Sequence, residues 1–247
     1  MSSIRGAATC YNSQLLNYIK CNSKIAKSTN FQGTLYERTV MRELATKLRV
    51  TKLVNSGGAF DQGIDISGKW DLQPIYDHVN SIWGLNKSLP ARYKVNGRIL
   101  KPLKHSLASG GHLQPLDVIV QCKAFKTRKI TARDLREVTG IFTQHAGHLK
   151  KAIVMLCSPT LMTKDAIAAI NQLPVPITYL QIDMIRFSRK TGELDLNESG
   201  QLLNYYENEY ASKLLDDCGI QQWLAMSCWE LPTDANAIGP VVAEAKF

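Results

Sequence analysis

The sequence predicts an α/β protein built as a layered sheet with helices packed on it. Helical and strand patterns alternate along the chain, and the connections between them are short. Residues 151–157 are almost entirely apolar, which is typical of an interior strand covered on both faces. With 247 residues and 45% hydrophobic content, the chain is long enough for one sizeable domain with additions.

The first part of the pattern contains one helix and two short strands. Residues 34–49 carry leucine and valine at near-helical spacing, and Thr34 is a suitable cap. Residues 50–55 are a strand candidate, and a glycine turn then leads to residues 64–66. There, alternation buries both isoleucines and presents Asp65 on the opposite face, so we expect Asp65 to open a second strand.

The rest of the pattern is a strand followed by two helix–strand pairs, predicted at residues 116–123, 131–145, 151–157, 163–172 and 177–182. From Gly192 onward the chain is acidic, and we predict one helix near residues 201–215 and another around Trp223 and Trp229. We therefore expect residues 184–247 to form an acidic, helical C-terminal extension that packs on the core or on a partner.

Charge is unevenly distributed along a chain whose formal net charge is +9. Residues 86–136 contain twelve lysines and arginines against two acids, whereas residues 193–247 contain ten acids against two lysines. A basic middle indicates a polyanionic partner, and a solvated basic face is the alternative.

Cysteine spacing and hydropathy exclude several protein classes. The six cysteines form no C-x-x-C pair, which disfavours a zinc ribbon and a disulfide scaffold and indicates reduced thiols. No apolar run approaches the roughly 18 residues of a membrane span, so no span is expected.

The N-terminal segment, residues 1–33, has the composition of an organelle transit peptide. It contains four basic residues and no acid, since the first carboxylate of the chain is Glu37. A basic, serine-rich and potentially amphipathic segment predicts mitochondrial import before chloroplast import. A disordered basic tail is the alternative.

Three side chains are expected to converge at one edge of the sheet. Gln121 and Lys123 lie two residues apart on a strand and therefore face the same side. If Asp65 opens the neighbouring strand, a carboxylate, an amide oxygen and an ammonium group meet. Such a set suits metal-assisted hydrolysis of a phosphodiester. Asp61 is an alternative metal ligand, but it lies among turn residues that usually bond their own backbone.

Two basic segments are candidate nucleic-acid contacts. Asn96-Gly97 between two strand patterns predicts a hairpin, and pairing across it puts three basic residues on one face: Arg92, Lys94 and Lys101. A basic ribbon beside the site would lie on a phosphate backbone, and a soluble edge hairpin is the alternative. The second segment directly follows Lys123 and continues into the next helix, with Lys126, Arg128, Lys129 and Arg133.

Taken together, the motifs GGAFDQGIDISG, IVQCK and ITARDLREVTGIF, followed by KAIVMLCS and PITYLQID, resemble the Mrr-type branch of the restriction-endonuclease-like PD-(D/E)XK nucleases. The resemblance covers residues 34–183. It implies a restriction-endonuclease-like mixed sheet flanked by helices, interrupted by a long insertion at residues 70–115. Glutamine often replaces the second acid of the motif in this branch.

The resemblance also implies roles for individual residues. Asp65 corresponds to the metal-binding aspartate, Gln121 to the second ligand, and Lys123 to the catalytic lysine. The backbone carbonyl of Cys122 is expected to complete the metal shell. Glu37 matches an acid found on the first helix of many related nucleases. Its alternative is a helix-dipole role in the first turn of the predicted helix.

Residues and resemblance together lead to the expectation of a mitochondrial, Mg²⁺-dependent deoxyribonuclease, with Mn²⁺ as a substitute metal and endonucleolytic cleavage favoured. In this mechanism Lys123 orients or deprotonates the attacking water and offsets negative charge in the transition state. Two alternatives stay open: a noncatalytic nucleic-acid-binding protein on the same fold, and a nuclease that processes RNA. Many relatives act as dimers, so a homodimer is compatible with this expectation.

Overall fold

The computed structural model describes residues 2–25, 28–56, 63–146, 151–187, 194–196 and 198–229. The helices are α1 (Ser2–Cys21), α2 (Thr29–Lys47), α3 (Gln73–Trp83), α4 (His105–Gly110), α5 (Ala132–Ala146), α6 (Lys164–Gln172), α7 (Glu209–Leu214) and α8 (Ile220–Trp229). The strands are β1 (Val50–Asn55), β2 (Ile66–Trp70), β3 (Tyr93–Val95), β4 (Arg98–Leu100), β5 (Leu116–Cys122), β6 (Ala152–Ser158), β7 (Ile177–Ile182), β8 (Arg186–Phe187), β9 (Leu194–Asp195) and β10 (Leu202–Glu207).

A mixed six-stranded sheet forms the centre of the fold, in the order β1-β2-β5-β6-β7-β10. Strands β5, β6 and β7 are parallel, whereas β1, β2 and β10 pair antiparallel with their neighbours. Every residue of β6 is buried, as its apolar sequence predicts. The predicted α/β class, with a mixed sheet flanked by helices, is confirmed.

Two hydrophobic layers cover the faces of this sheet. Val118 and Val120 of β5 pack with α2, α3 and α8 on one face, whereas Ile119 packs with α5 and α6 on the other. This alternation follows from the two-residue period of a strand. The C-terminal end of β5 therefore projects its next side chains alternately toward the α2 layer and the α5 layer.

Helix α2 begins earlier than the sequence indicates. Ser28 caps it by accepting a hydrogen bond from the Phe31 amide at 3.1 Å, and the helix starts at Thr29 rather than at Thr34. Glu37 consequently lies in the middle of α2. The helix-dipole interpretation of Glu37 is wrong, because that effect is confined to the first turn.

The N-terminal segment packs against α2. Leu15 of α1 is buried, and Tyr18 stacks on Phe31 with ring centroids 5.2 Å apart. Leu16 and Ile25, two further apolar residues of this segment, are exposed. Import and removal of residues 1–33 stay predictions. Among the described residues, no helix combines the length and apolarity that crossing a bilayer requires.

The predicted hairpin forms, but it lies away from Asp65. Asn96 and Gly97 adopt φ values of 48° and 79°, as the tight turn between β3 and β4 requires. The Asn96 side chain donates to the Asn171 carbonyl at 2.7 Å, at the end of the helix that leads into β7. This position is next to the N-terminal ends of the parallel strands, whereas Asp65 lies at their C-terminal ends.

The expectation of a basic ribbon beside the site is therefore wrong for Arg92, Lys94 and Lys101. The length of β5, about 20 Å at roughly 3.3 Å per residue, separates the two ends of the sheet. The sequence predicts the hairpin from its turn residues, but not the direction in which the insertion at residues 70–115 folds back.

The C-terminal region adds a strand where a helix is predicted. Residues 202–207 form β10, which pairs with β7 at the edge of the sheet, and the short helix α7 starts only at Glu209. Asn208 separates the two elements by capping α7 through the Ala211 amide at 2.9 Å. The sheet therefore continues past the predicted boundary at residue 183, because β10 belongs to it. Trp223, further along the chain, packs in the main core.

Candidate active site

Antiparallel pairing of β2 with β5 brings Asp65 next to Gln121. Ile66 is the register partner of Val120, and the Asp65 amide donates to the Val120 carbonyl at 3.1 Å. The Asp65 carboxylate accepts one hydrogen bond from the Gln121 side chain at 2.7 Å. It accepts a second from the Cys122 amide at 2.5 Å. Two of the three predicted side chains are therefore in direct contact.

The Gln121 amide has a buried oxygen for which the described part of the chain offers no donor. Its nitrogen must face Asp65, since the reverse orientation would set two oxygen acceptors against each other. Gln121 is only 8% exposed, and no described residue donates a hydrogen bond to its Oε1 atom. An unsatisfied buried acceptor costs about 1–3 kcal/mol, so this oxygen is suited to hold a cation.

Gly63 makes room for the Ile141 side chain beside this amide. Its φ of +81° favours glycine, and a Cβ atom there would lie 2.6 Å from the Ile141 side chain and 3.9 Å from Gln121 Oε1. The backbone before β2 therefore approaches Gln121 closely. The alternative ligand Asp61 lies outside the described residues.

The Cys122 carbonyl is directed toward the Asp65 side of β5. The Lys123 amide donates to the Cys157 carbonyl of β6 at 2.8 Å. Because the C=O and N–H of a trans peptide point in opposite directions, the Cys122 carbonyl points away from β6. The position fits the predicted third metal ligand. The thiol of Cys122 is disfavoured as a nucleophile, since burial raises its pKa well above the ordinary value.

Lys123 is held by an acid that the sequence analysis did not single out. Its Nζ atom lies 3.1 Å from Glu137 Oε2 on α5, and the lysine side chain is 16% exposed. Glu137 lies one helical turn after Asp134, on a helix that closely follows Lys123 in sequence. Its nearness to Lys123 in sequence and its opposite charge were the signals that could have suggested this contact.

Glu37 approaches the same strand ends from the α2 layer. Its carboxylate accepts from the Asn55 side chain at 2.8 Å, and the next residue, Ser56, donates its amide to the Asp65 carbonyl at 2.8 Å. Asn55 is a second site residue that the sequence analysis missed. The side-chain partner of Glu37 within the described residues is Asn55 rather than Lys123.

Three charged groups of the site affect the pKa of the Cys122 thiol. After burial, which is the largest cause of its raised pKa, the negative charges of Asp65 and Glu37 raise that pKa further, and Lys123 opposes them. The three ionisable groups predicted for the site therefore lie within electrostatic range of one point at the end of β5.

Within the ranges that the structure describes, no three His, Cys, Asp or Glu side chains cluster closely enough to share a metal ion. A cation held here would depend on the Asp65 carboxylate, the Gln121 and Cys122 oxygens, and water. That donor set consists of oxygen atoms, which suits Mg²⁺ or Mn²⁺ rather than zinc.

The basic segment after Lys123 lies at the same end of the sheet. Lys126, Lys129 and Arg133 are exposed, as expected for phosphate contacts. Arg128 differs, because its guanidinium pairs with both carboxylate oxygens of Asp134 at 2.8 and 3.0 Å. It also lies 3.7 Å from the centre of the Phe125 ring. Arg128 therefore orders the segment, and its predicted contact with nucleic acid stays a prediction.

Asp134→Asn is expected to lower the free energy of unfolding by about 2 kcal/mol at pH 7. Burial alone would raise the pKa of Asp134, but hydrogen bonds from Arg128 and Thr131 lower it to about 2. A depressed folded-state pKa stabilises the protein above the unfolded value near 3.8. The difference between wild type and variant should therefore shrink as pH falls from about 4 to 2 in urea denaturation series.

Asp165→Asn, at an exposed first turn of α6, is the control and should change stability by less than about 1 kcal/mol. An unchanged difference at low pH contradicts the assignment.

Comparison with known proteins links the chain to one family. The family model for required for respiratory growth protein 7 matches residues 28–215. The mitochondrial protein of that name from Lachancea thermotolerans is 42% identical over 233 residues, which cover 92% of this chain and 90% of the relative.

Two further relatives with the same printed name come from Saccharomyces cerevisiae strain YJM789 and Kluyveromyces lactis. They are 43% and 42% identical over 218 residues, covering 86% and 87% of this chain and 89% and 91% of the relatives. No solved structure gives a significant match.

Proposed function

The chain belongs to the family of required for respiratory growth protein 7 and is a mitochondrial protein, and from this premise we propose that it is a Mg²⁺-dependent deoxyribonuclease with a restriction-endonuclease-like fold. The observation that carries the proposal is the contact between Asp65 and Gln121, in which the buried Gln121 oxygen has no hydrogen-bond donor among the described residues. Its relatives are named only as required for respiratory growth, a name with which maintenance of mitochondrial DNA is compatible.

Three oxygen donors would hold the metal: the Asp65 carboxylate, Gln121 Oε1 and the Cys122 carbonyl. Mg²⁺ bound there supplies a positive charge for the scissile phosphate and for a bound water. Asp65 and Gln121 are held in place by backbone and side-chain hydrogen bonds, so the protein is preorganised for this role.

Lys123 supplies the ammonium group at the same strand end. Its three N–H donors can orient a water or bind a phosphate oxygen, and Glu137 fixes the direction of its side chain. Lys126, Lys129 and Arg133 lie on the exposed surface beyond it and would bind the phosphate backbone. We assign DNA as the substrate, and cleavage of RNA is an outcome of the test.

The hydrogen bonding of Asp65 favours a second candidate function, a noncatalytic nucleic-acid-binding protein on the same fold. Asp65 Oδ2 already accepts two hydrogen bonds, one from a side chain and one from the backbone. These donors satisfy part of the carboxylate without a metal. The two functions differ in whether metal binding depends on Asp65.

Calorimetric titration of Mn²⁺ and Mg²⁺ into wild type and Asp65→Asn distinguishes them. We expect binding to wild type and a loss of at least about tenfold in affinity for the variant, because a neutral amide is a weaker ligand than a carboxylate. Asp117→Asn is the matched control, since Asp117 lies at the other end of β5 and pairs with Lys69. Equal binding by wild type and Asp65→Asn would support the noncatalytic binder.

The same proteins are then tested for cleavage of linear, nicked, branched and single-stranded DNA and of RNA with Mg²⁺. Wild type and Asp117→Asn should cut DNA, whereas Asp65→Asn should not. Cleavage of RNA alone would replace the deoxyribonuclease assignment, and cleavage that survives in Asp65→Asn would refute the proposed site. Light scattering on these samples tests whether the protein forms the homodimer with which the sequence is compatible.

A further inference from the structure

A cavity of about 440 Å³ lies at the end of the sheet opposite Asp65. We call it the hairpin cavity, because β4 of the hairpin forms one wall. The other walls come from α4, the beginnings of β5 and β6, the segment before β7, and α7. Small-ligand sites typically measure about 300–1,000 Å³ and combine apolar walls with a few polar groups.

Among the described residues, three basic side chains and no acidic one line the hairpin cavity: Arg98, Lys101 and Lys151. All three are exposed, and none of them forms an ion pair within the described part of the chain. Lys151 donates one hydrogen bond to the Gln114 side chain and retains further N–H donors. The cavity therefore has a positive rim.

Three of the acids near this end of the fold are bound to other lysines, whereas Glu209 of α7 is exposed and forms no ion pair among the described residues. Asp216 pairs with Lys87 at 2.8 Å and also accepts from the Tyr93 hydroxyl at 2.7 Å. Two further ion pairs at this end of the fold are Lys104–Asp217 and Lys69–Asp117. These pairs leave the three cations of the rim available to an external anion.

Most of the remaining lining is apolar, apart from Ser106, Ser109 and Gln114. Leucines, prolines and aromatic residues supply it: Leu100, Leu103, Leu116, Phe142, Pro174, Pro176 and Tyr210. A simple inorganic anion would use the rim and leave this wall in contact with water. A ligand with a charged end and a planar body uses both parts.

We propose that the hairpin cavity binds a nucleoside phosphate, with its phosphates at Arg98, Lys101 and Lys151 and its base against the apolar wall. The site is separate from the proposed metal site, since the length of β5 lies between them. This site would give a role to the basic residues of the hairpin, which lies at the end of the sheet opposite Asp65. The proposal does not depend on whether the protein cleaves DNA.

Calorimetry with the full chain at fixed ionic strength tests the proposal, with ADP, pyrophosphate and adenosine as the probes. We expect ADP to bind more tightly than either fragment. The double variant Arg98→Ala/Lys101→Ala should weaken ADP binding about tenfold or more, as should Lys151→Gln, because each change removes charged donors from the rim.

Arg92→Ala/Lys94→Ala is the matched control, because it removes the same charge from the same hairpin without touching the cavity lining. It should leave ADP binding within about twofold of wild type. An equal loss in both double variants overturns the proposal, since it indicates a diffuse electrostatic effect. Pyrophosphate binding as tight as ADP overturns the assignment of the apolar wall to a base. Circular dichroism of each variant identifies misfolding, and Lys151→Gln gives an independent measurement at an exposed position.

Discussion

Lys123→Ala is expected to reduce cleavage of DNA by about a hundredfold or more while leaving Mn²⁺ binding intact. In the proposed site the ammonium group is the positive charge on the residue after Cys122, and it pairs with Glu137 at 3.1 Å. Removing it takes away the donor that orients water or stabilises the phosphate in the transition state. Asp65 and Gln121 keep their hydrogen bonds, so the proposed metal ligands stay in place.

Lys126→Ala is the control for Lys123→Ala. Lys126 is exposed three residues further along the chain and is assigned to the phosphate backbone rather than to the reaction. Its loss should raise KM or the Kd for DNA, most clearly at low salt, and leave kcat nearly unchanged. Single-turnover rates separate the two effects. Cleavage at the wild-type rate by Lys123→Ala would show that the lysine has no catalytic role.

Glu137 is a positioning residue in this scheme, because it acts on Lys123 and is not assigned to the metal or the substrate. Nearness in sequence and opposite charge are compatible with this contact, but they do not identify it by themselves. Glu137 belongs to a different element from Lys123, and only the packing of α5 on the sheet brings them together. The same holds for Asn55, which connects Glu37 of α2 to the strand that precedes Asp65 in the sheet.

Local patterns predicted the parts of the fold whose signal lies within a few residues. The alternation in β5 placed Gln121 and Lys123 on one face, and Asn96-Gly97 predicted a hairpin with both turn residues at positive φ. The apolar run of β6 predicted a strand buried on both faces. In each case short-range sterics or periodicity determines the outcome.

Long-range packing decided the parts that were predicted wrongly. A helix was predicted near residues 201–215, but the edge of β7 offers unpaired backbone groups to residues 202–207, so these form β10. The hairpin has the expected turn, yet Tyr93 and Asn96 attach it to Asp216 and Asn171 at the far end of the sheet. Neither partner can be identified from spacing within the insertion.

Arg42→Ala is expected to lower the free energy of unfolding by about 3–5 kcal/mol. Arg42 of α2 is 3% exposed, and its Nε atom lies 3.0 Å from the equally buried carboxylate of Glu43. Its other nitrogens donate to backbone carbonyls that precede β10: Leu196 at 2.9 Å, Ser199 at 3.2 Å and Gly200 at 2.8 Å. The substitution leaves the Glu43 charge buried without its cation and three carbonyls without a donor.

This network anchors β10, so the variant should also loosen that strand before the rest of the sheet. Glu43 accepts the Leu202 amide at 2.9 Å, which ties the first residue of β10 to the same pair. Hydrogen exchange should therefore accelerate first in β10, while β5 and β6 keep their protection until global unfolding. Lys47→Ala, on the same helix and outside the pair, should change stability by no more than about 0.5 kcal/mol in urea denaturation. A loss below about 1 kcal/mol for Arg42→Ala, or uniform exchange across the sheet, would mean that packing alone holds β10 and that the buried pair is dispensable.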